Sequence, residues 1–416
     1  MSATLLRNCT LFDPRSGNLA SGTSVLVSDD TIAAVSDQAI AAEGAEVIDV
    51  DGRTVLPGLI DCHVHVNAVR VTSGLAASRV LPASFIAAAA SQVMRGMLMR
   101  GFTTIRDAGG ADRGLREAVE QGMFTGPRLF IAGRAISQTG GHGDFRERID
   151  SPEPCGCQHF ISGIGRVADG VPAVQQAVRD EIRLGANQIK IMASGGVASA
   201  ADPVHFLQYS RGELDAIVDE ARRADTYVMA HAYTPAAISR AVEAGVRTIE
   251  HGNLIDEATA ALMADRGAFL VPTLITFKAL ATHGARLGFP PEMLAKLASI
   301  VEVGTRSLRL AQAAGVKMAF GTDLLGELHE HQSEEFLIRA EALPTVEVLR
   351  AATVNAAEVL RMEGRLGVIA PGAFADLVVV DGNPLEDLGL LQEQGRHMPC
   401  IMKGGRIVKT NLGGKA

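Results

Sequence analysis

Four histidines, one lysine and one aspartate stand at the ends of short apolar runs, a placement suited to gripping metal ions. They are His63 and His65 in Gly58-Leu-Ile-Asp-Cys-His-Val-His65, Lys190 in Gln188-Ile-Lys-Ile-Met192, His231 in Val228-Met-Ala-His-Ala-Tyr233, His251 in Thr248-Ile-Glu-His-Gly-Asn253, and Asp323 in Met318-Ala-Phe-Gly-Thr-Asp323. Imidazole nitrogen and carboxylate oxygen are donors that zinc and its neighbours prefer. His63 and His65 are two apart on an extended segment, so both point to one side and can chelate one ion. A single histidine is more often a satisfied core residue. Six such residues in one recurring context are read as a two-metal hydrolase site.

That site needs strands that end together. Residues just past the C-terminal ends of parallel barrel strands converge on one mouth. The pattern predicts eight such strands near Val55–Ile60, Thr103–Ile105, Arg128–Ala132, Gln188–Met192, Tyr227–Ala230, Thr248–Glu250, Phe269–Val271 and Lys317–Phe320. Three of the starts (227, 248, 269) are evenly spaced, as minimal strand–helix units require. Amphipathic helices are expected over Arg211–Ala224, Pro235–Ala244, Asp256–Arg266 and Thr345–Leu360. A long insertion from Gly133 to about Val171 follows the third strand, on the face that lines substrate pockets. Residues 1 to about 55 read instead as short alternating strands, with Asp51-Gly52 as a tight turn, and the last fifty return to that texture. Neither end can bury a core alone. The predicted fold is therefore α/β: a (β/α)8 TIM barrel over 57–360, with a small β-sandwich built from 1–56 and 361–416.

Composition narrows the partners. The 416 residues are 47% apolar, enough for a large core, yet no run is long enough to span a bilayer. A net charge of −8 without a basic cluster argues against nucleic acid, and 4% aromatics with no tryptophan leave few stacking platforms. Five cysteines are too sparse for a disulfide framework, and no secretory signal is apparent, so a cytoplasmic location is expected.

The Gly58-to-His65 motif, Lys190, His231, His251, Gly-Thr-Asp323 and the tail Pro371-Gly-Ala-Phe-Ala-Asp-Leu-Val-Val-Val380 together resemble the amidohydrolase superfamily. The likeness runs in the same order over nearly the whole chain. Within it the chain most resembles the imidazolonepropionase-related branch, with dinuclear-zinc prolidases and Xaa-Arg/Lys dipeptidases. The resemblance implies two divalent metals, expected to be Zn2+, and a Lys190 carboxylated by CO2 that bridges them. Burial disfavours the ammonium form of a lysine between isoleucines, which leaves a nucleophilic amine. By the same resemblance His63, His65 and Asp323 serve the first metal, and His231 and His251 the second. A water between two cations would ionise near neutral pH and attack the amide as hydroxide, with Asp323 handling the protons. Asp323 also suits a helix N-cap. Tyr233 and His142 match a tyrosine and a histidine of resembling dipeptidases, where they would serve the developing oxyanion. A homo-oligomer is implied as well.

The expected substrate is a dipeptide or N-acyl amino acid, with Xaa-Pro favoured by the resemblance alone. For its carboxylate, Arg146 and Arg148 compete with the backbone N–H groups of Ser194-Gly195-Gly196. A cyclic-amide hydrolase (imidazolonepropionase- or hydantoinase-like) is the first alternative. A deaminase is disfavoured because Thr234 stands where the mononuclear enzymes place a glutamate. A non-catalytic metal-binding barrel is the remaining alternative. Cys155 and Cys157 read as structural or incidental, and His329 and His331 as a solvated or pocket-rim stretch rather than a third metal site.

Overall fold

Both chain ends meet in one eight-stranded sheet of the computed structural model, which describes residues 3–70, 81–146, 163–197, 202–289, 291–301 and 303–412. Strands Ala3–Asp13, Asn18–Ser28 and Thr31–Ser36 form an antiparallel meander. The first of them also runs parallel to Glu46–Asp49 and Thr54–Pro57. Thr54–Pro57 then pairs with Leu377–Val380 from the far end of the chain, followed by Cys400–Lys403 and Arg406–Thr410. Alternate residues of these strands, among them Leu6, Val25, Val55, Leu377 and Met402, enter one apolar cluster. The sandwich expected from the sequence is thus one continuous sheet around its own core. Asp51 and Gly52 both take positive φ (55° and 75°), as a tight turn there requires.

The parallel strands lie in two further sheets. One holds Leu59–Val64, Phe102–Asp107 and Arg128–Ile131; the other runs from Gly165–Val167 and Ala135–Ser137 through Ile189–Met192, Val228–Ala232 and Thr248–His251 to Phe269–Val271. Asn187 ties them on one side, its backbone N–H donating to Ile131 O (2.7 Å) and its side-chain Oδ1 accepting from Ile131 N (2.9 Å). On the other side Ala319 N donates to Leu270 O (2.9 Å) and Cys62 N to Phe320 O (2.7 Å).

Two strand expectations need correction. Val55–Ile60 spans a junction: Thr54–Pro57 belongs to the terminal sheet and Leu59–Val64 to the parallel one. Gly58 permits the handover, because a Cβ there would lie 2.0 Å from Thr103 Oγ1 and 2.9 Å from Asp376 Cβ. The segment Lys317–Phe320 makes only an isolated bridge, Leu270 to Met318. Its chain turns away at Gly321, where a Cβ would lie 2.6 Å from Val271 Cγ1, to deliver Asp323.

Helices formed as their caps and spacing dictate. Ser210 and Glu213 close a capping box at the start of Arg211–Arg223, which buries Leu214, Ile217, Val218 and Ala221 along one face. Thr234 caps Pro235–Ala244, Pro235 sits at its first position, and Gly245 ends it in the left-handed region. The expected helix Thr345–Leu360 is broken into Thr345–Ala351 and Val354–Val359, because Thr353 leaves helical φ/ψ and its hydroxyl bonds back to Leu349 O at 2.7 Å. No helix among the described residues is long and apolar enough to cross a membrane.

Gly58→Ala should lower the unfolding free energy by about 1–3 kcal/mol, since the new methyl meets side chains attached to both sheets. Gly212→Ala should instead stabilise by up to about 1 kcal/mol, because it lies inside a helix with its nearest contact at 3.9 Å. Denaturant titration of the two variants checks the pair, and equal effects would remove the junction argument.

Candidate active site

The strands bring all six proposed ligands to one cavity, which Tyr233 and His142 also line. His63, His231 and His251 lie at or near the C-terminal ends of Leu59–Val64, Val228–Ala232 and Thr248–His251, and Lys190 lies within Ile189–Met192. Asp323 Oδ1 stands 3.5 Å from His63 Nε2 and 3.3 Å from His65 Nε2. Ligand atoms of His63, His251 and Asp323 all fall within 4.8 Å of one another. The His231 and His251 rings follow at 4.6 Å between centroids. His251 and Asp323 hold positive φ, 72° and 52°, a conformation that non-glycine residues adopt only where surrounding contacts impose it.

Each histidine has one ring nitrogen tied outward. His63 Nδ1 donates to Glu250 Oε2 at 2.6 Å, and His65 Nδ1 to Gly109 O at 2.8 Å. His251 Nδ1 pairs with Thr273 Oγ1 at 2.7 Å, while His231 uses Nε2, toward Gly195 O at 3.2 Å. A carboxylate or carbonyl partner can only accept, so it fixes the proton on the outward nitrogen and leaves the other as a lone-pair donor. Nε2 is thus the free nitrogen of His63 and His65, and Nδ1 that of His231; His251 also leaves Nε2 inward, its Nδ1 held by a hydroxyl that can donate or accept. Outer hydrogen bonds of this kind orient metal ligands.

Glu250 and Arg106 were not singled out from the sequence, yet they anchor the site. Both are wholly buried, with Arg106 Nη2 3.0 Å from Glu250 Oε1 and Arg106 Nε 2.7 Å from Cys62 O. Thr248 Oγ1 donates to Glu250 as well, at 2.5 Å. Strand alternation sends Glu250 to the face opposite its neighbour His251. The available signal was a charge of each sign inside two otherwise apolar strands, Thr-Ile-Glu-His and Thr-Thr-Ile-Arg-Asp.

Electrostatics suit cation binding. Burial works against the Asp323 carboxylate, but the flanking His63 and His65 hold its pKa well below the ordinary value. Burial pushes His231 and His251 well below the usual imidazole range, helped at His231 by His142, His251 and Lys190 and opposed at His251 by Asp323; the net effect favours both as neutral donors. Burial also lowers the Lys190 ammonium to about 8. Lys190 is 1% exposed, and among the described residues no hydrogen bond or ion pair reaches its side chain. Burial, reinforced by Asp323 and Asp202, raises the Tyr233 phenol well above its usual value, keeping its proton on.

Tyr233 and His142 flank the histidines. Tyr233 stacks on His251 (5.2 Å, 14°), and His142 stacks on His231 (4.3 Å, 21°) with its Nδ1 3.0 Å from Asp202 Oδ2. Other expectations change. Gly195 N donates to Phe206 O and Gly196 N to Asp202 Oδ2, so those amides do not form an open carboxylate cradle. Arg146 is paired with Asp144 at 2.6 Å. Asp323 caps no helix; the next helical turn, Gly326–His331, is preceded by Leu325. His329 is buried rather than solvated, while His331 is partly exposed and bound to Glu334. Arg148, Cys155 and Cys157 lie outside the described residues.

The model of the amidohydrolase family matches residues 54–415 of this chain. An ochratoxinase from Aspergillus niger is 34% identical over 375 residues, which cover 85% of this chain and 75% of the relative. A crystal structure of a prolidase complexed with N-methylphosphonate-L-proline is 53% identical, covers 99% of this chain and 100% of its own, and superposes with a TM-score of 0.96. A Xaa-Pro dipeptidase with methionine bound in its active site is 32% identical, covering 98% and 100%, with a TM-score of 0.86.

Replacing Glu250 by Gln leaves the buried Arg106 without its counter-charge and His63 without its acceptor of fixed polarity. The fold should lose about 3 kcal/mol, and zinc affinity in chelator competition should fall about 10- to 100-fold. A variant unchanged in both measurements would deny Glu250 its anchoring part.

Proposed function

This chain belongs to the amidohydrolase family and is a hydrolase of amide or peptide bonds, and from that premise we propose that it is a dinuclear metal-dependent dipeptidase with Xaa-Pro substrates. The observation that carries this reading is the convergence of four histidines, Lys190 and Asp323 on one cavity, each histidine with one nitrogen held outward. The donor set fits divalent metal, and zinc in particular: four imidazoles, of which His231 and His251 are held well below the usual range, an anionic carboxylate with its pKa depressed, and ligand atoms of His63, His251 and Asp323 within 4.8 Å of one another. His63, His65 and Asp323 would hold one metal, and His231 and His251 the other, with Lys190 shared between them. A buried ammonium without a partner is costly. The Lys190 ammonium first loses a proton, and reaction of the resulting amine with CO2 forms an N–C bond and releases a second proton, replacing that cation with a carbamate anion. The backbone bonds that join Ile131 to Asn187, Leu270 to Ala319 and Phe320 to Cys62 support reading the parallel strands as one closed (β/α)8 barrel.

Metals bound here would supply Lewis acidity, polarising the scissile carbonyl and lowering the pKa of a water. The protein's own groups do the rest. Asp323, beside both His63 and His65, accepts a proton at a carboxylate oxygen and passes it to the leaving nitrogen. Tyr233 keeps its phenolic proton and donates to the carbonyl oxygen as negative charge builds there. Its ring is fixed between His251 and Phe277, at 5.2 and 5.9 Å between centroids, so the hydroxyl needs no reorganisation. His142, oriented by Asp202, is placed on the other side of His231 to assist.

Substrate class rests on the relatives and on the walls of the cavity. A proline phosphonate occupies the 53%-identical prolidase, and methionine the Xaa-Pro dipeptidase. In this chain Phe145, Ile164, Val197, Phe277, Leu280 and Leu325 line the same cavity as the ligands, a surface that suits an apolar ring or side chain. Thr234, three residues after His231, is committed to capping a helix, which weighs against deaminase chemistry.

Zinc-loaded enzyme assayed against Xaa-Pro dipeptides, their C-terminal amides and N-acyl amino acids tests the reading. Free Xaa-Pro dipeptides should be the best substrates, with activity lost to a chelator and restored by zinc; no turnover of any of them would reject it. Lys190→Ala should fold normally and lose about three orders of magnitude in kcat/KM, about 4 kcal/mol of transition-state stabilisation. Wild-type turnover by that variant would end the dinuclear mechanism. Tyr233→Phe should lower kcat by about 10²- to 10³-fold with little change in KM, the split expected of an oxyanion donor.

A further inference from the structure

A second cavity, of about 320 Å³, opens at the other end of the same strands. Tyr227, Arg247 and Ala268 immediately precede the strands Val228–Ala232, Thr248–His251 and Phe269–Val271 and line it, so it faces away from the histidines. Four arginines, Arg222, Arg247, Arg266 and Arg361, surround it. Their charges are incompletely matched. Arg361 pairs with the exposed Asp225 at 3.2 Å, and Arg266 with the exposed Asp265 at 3.5 Å, both weak surface pairs. Glu358 is engaged by Lys317 at 2.7 Å. The Arg222 side chain makes no hydrogen bond or ion pair among the described residues.

Arg247 supplies the second, independent sign of a missing ligand. Its Nη2 donates to Glu358 O at 2.7 Å, but its Nε is buried with no acceptor among the described residues. A buried N–H of a cation left without an acceptor is unfavourable, and such groups are ordinarily satisfied. Its guanidinium carbon lies 5.7 Å from the centre of the Tyr227 ring, and that of Arg361 lies 5.5 Å from it, so two like charges converge on one aromatic ring. An oxyanion placed there would accept from the planar guanidinium forks and offset their mutual repulsion.

We propose that this cavity binds a small multivalent oxyanion, a phosphate or a polycarboxylate. The inference is independent of the substrate assigned to the histidine cluster. Isothermal titration of metal-loaded enzyme with inorganic phosphate, and separately with citrate, tests it at fixed ionic strength. Phosphate also ligates divalent metals, so the Arg222→Gln and Arg266→Gln variants identify the site; both side chains are exposed and neither is part of the hydrolytic machinery. Either substitution should weaken anion binding about tenfold while leaving amide hydrolysis unchanged without added anion. Binding of phosphate alone, or of citrate alone, supports the proposal and names the ligand type. Identical isotherms in wild type and variants, or no binding of either anion, would overturn it. So would variants that change only the sedimenting mass, because the cavity would then be a contact between copies of the chain.

Discussion

Glu250 has no route to water, yet its carboxylate must stay ionised for the histidine cluster to hold its shape. Burying such a charge alone would be prohibitive, and here Arg106, His63 and Thr248 share it. One ion pair thereby ties three strands across the interior: Leu59–Val64 through His63 and the Cys62 carbonyl, Phe102–Asp107 through Arg106, and Thr248–His251 through Glu250 itself. The same contact settles which nitrogen of His63 carries the proton. The tautomer, the ring orientation and the aim toward Asp323 all follow from a carboxylate that never meets the substrate.

Asp323 reaches the cluster by a different device. The chain turns at Gly321, leaves the bridge to Leu270 after a single contact, and enters the left-handed region at Asp323. Asp323 N and Thr322 N both donate to His63 O, at 2.8 and 3.2 Å. Asp61, wholly buried, accepts from Thr322 Oγ1 at 2.6 Å, from Gln332 Nε2 at 2.9 Å and from His63 N at 3.0 Å. Burial raises the pKa of Asp61 against the pull of those donors. Backbone strain at a ligand is sustained because the neighbouring segment is hydrogen-bonded from several directions. The same strands end in neutral donors at one mouth and begin beside guanidinium groups at the other.

Much of this architecture was legible in residue order. Strand and helix positions followed from apolar runs, caps and spacing, as with Ser210 and Glu213 or Thr234 and Pro235, because those preferences act within a few residues. The six proposed ligands were visible for a similar reason: each lies in or just after a short apolar run, and for those on strands the alternation fixes the side. The junction at Gly58 was not visible, since one unbroken apolar stretch, Thr54 to Ile60, serves two sheets. Nor was the short final segment, whose hydrogen bonds go to partners on both sides without a ladder of its own.

Residue types and local spacing alone determined that this chain carries histidines, a lysine and an aspartate suited to ligating metal in or just after short apolar runs, because ligand chemistry and side-chain alternation are local properties. The tertiary structure alone decided what stands behind each ligand: Glu250 behind His63, Gly109 O behind His65, Thr273 behind His251, Gly195 O behind His231. It also closed the Gly195 and Gly196 amides to substrate, buried His329, and gathered four arginines around a cavity at the far end. These pairings join residues distant in the chain. Their energies depend on burial and on which partners share a low-dielectric interior, and neither quantity exists until the strands have come together.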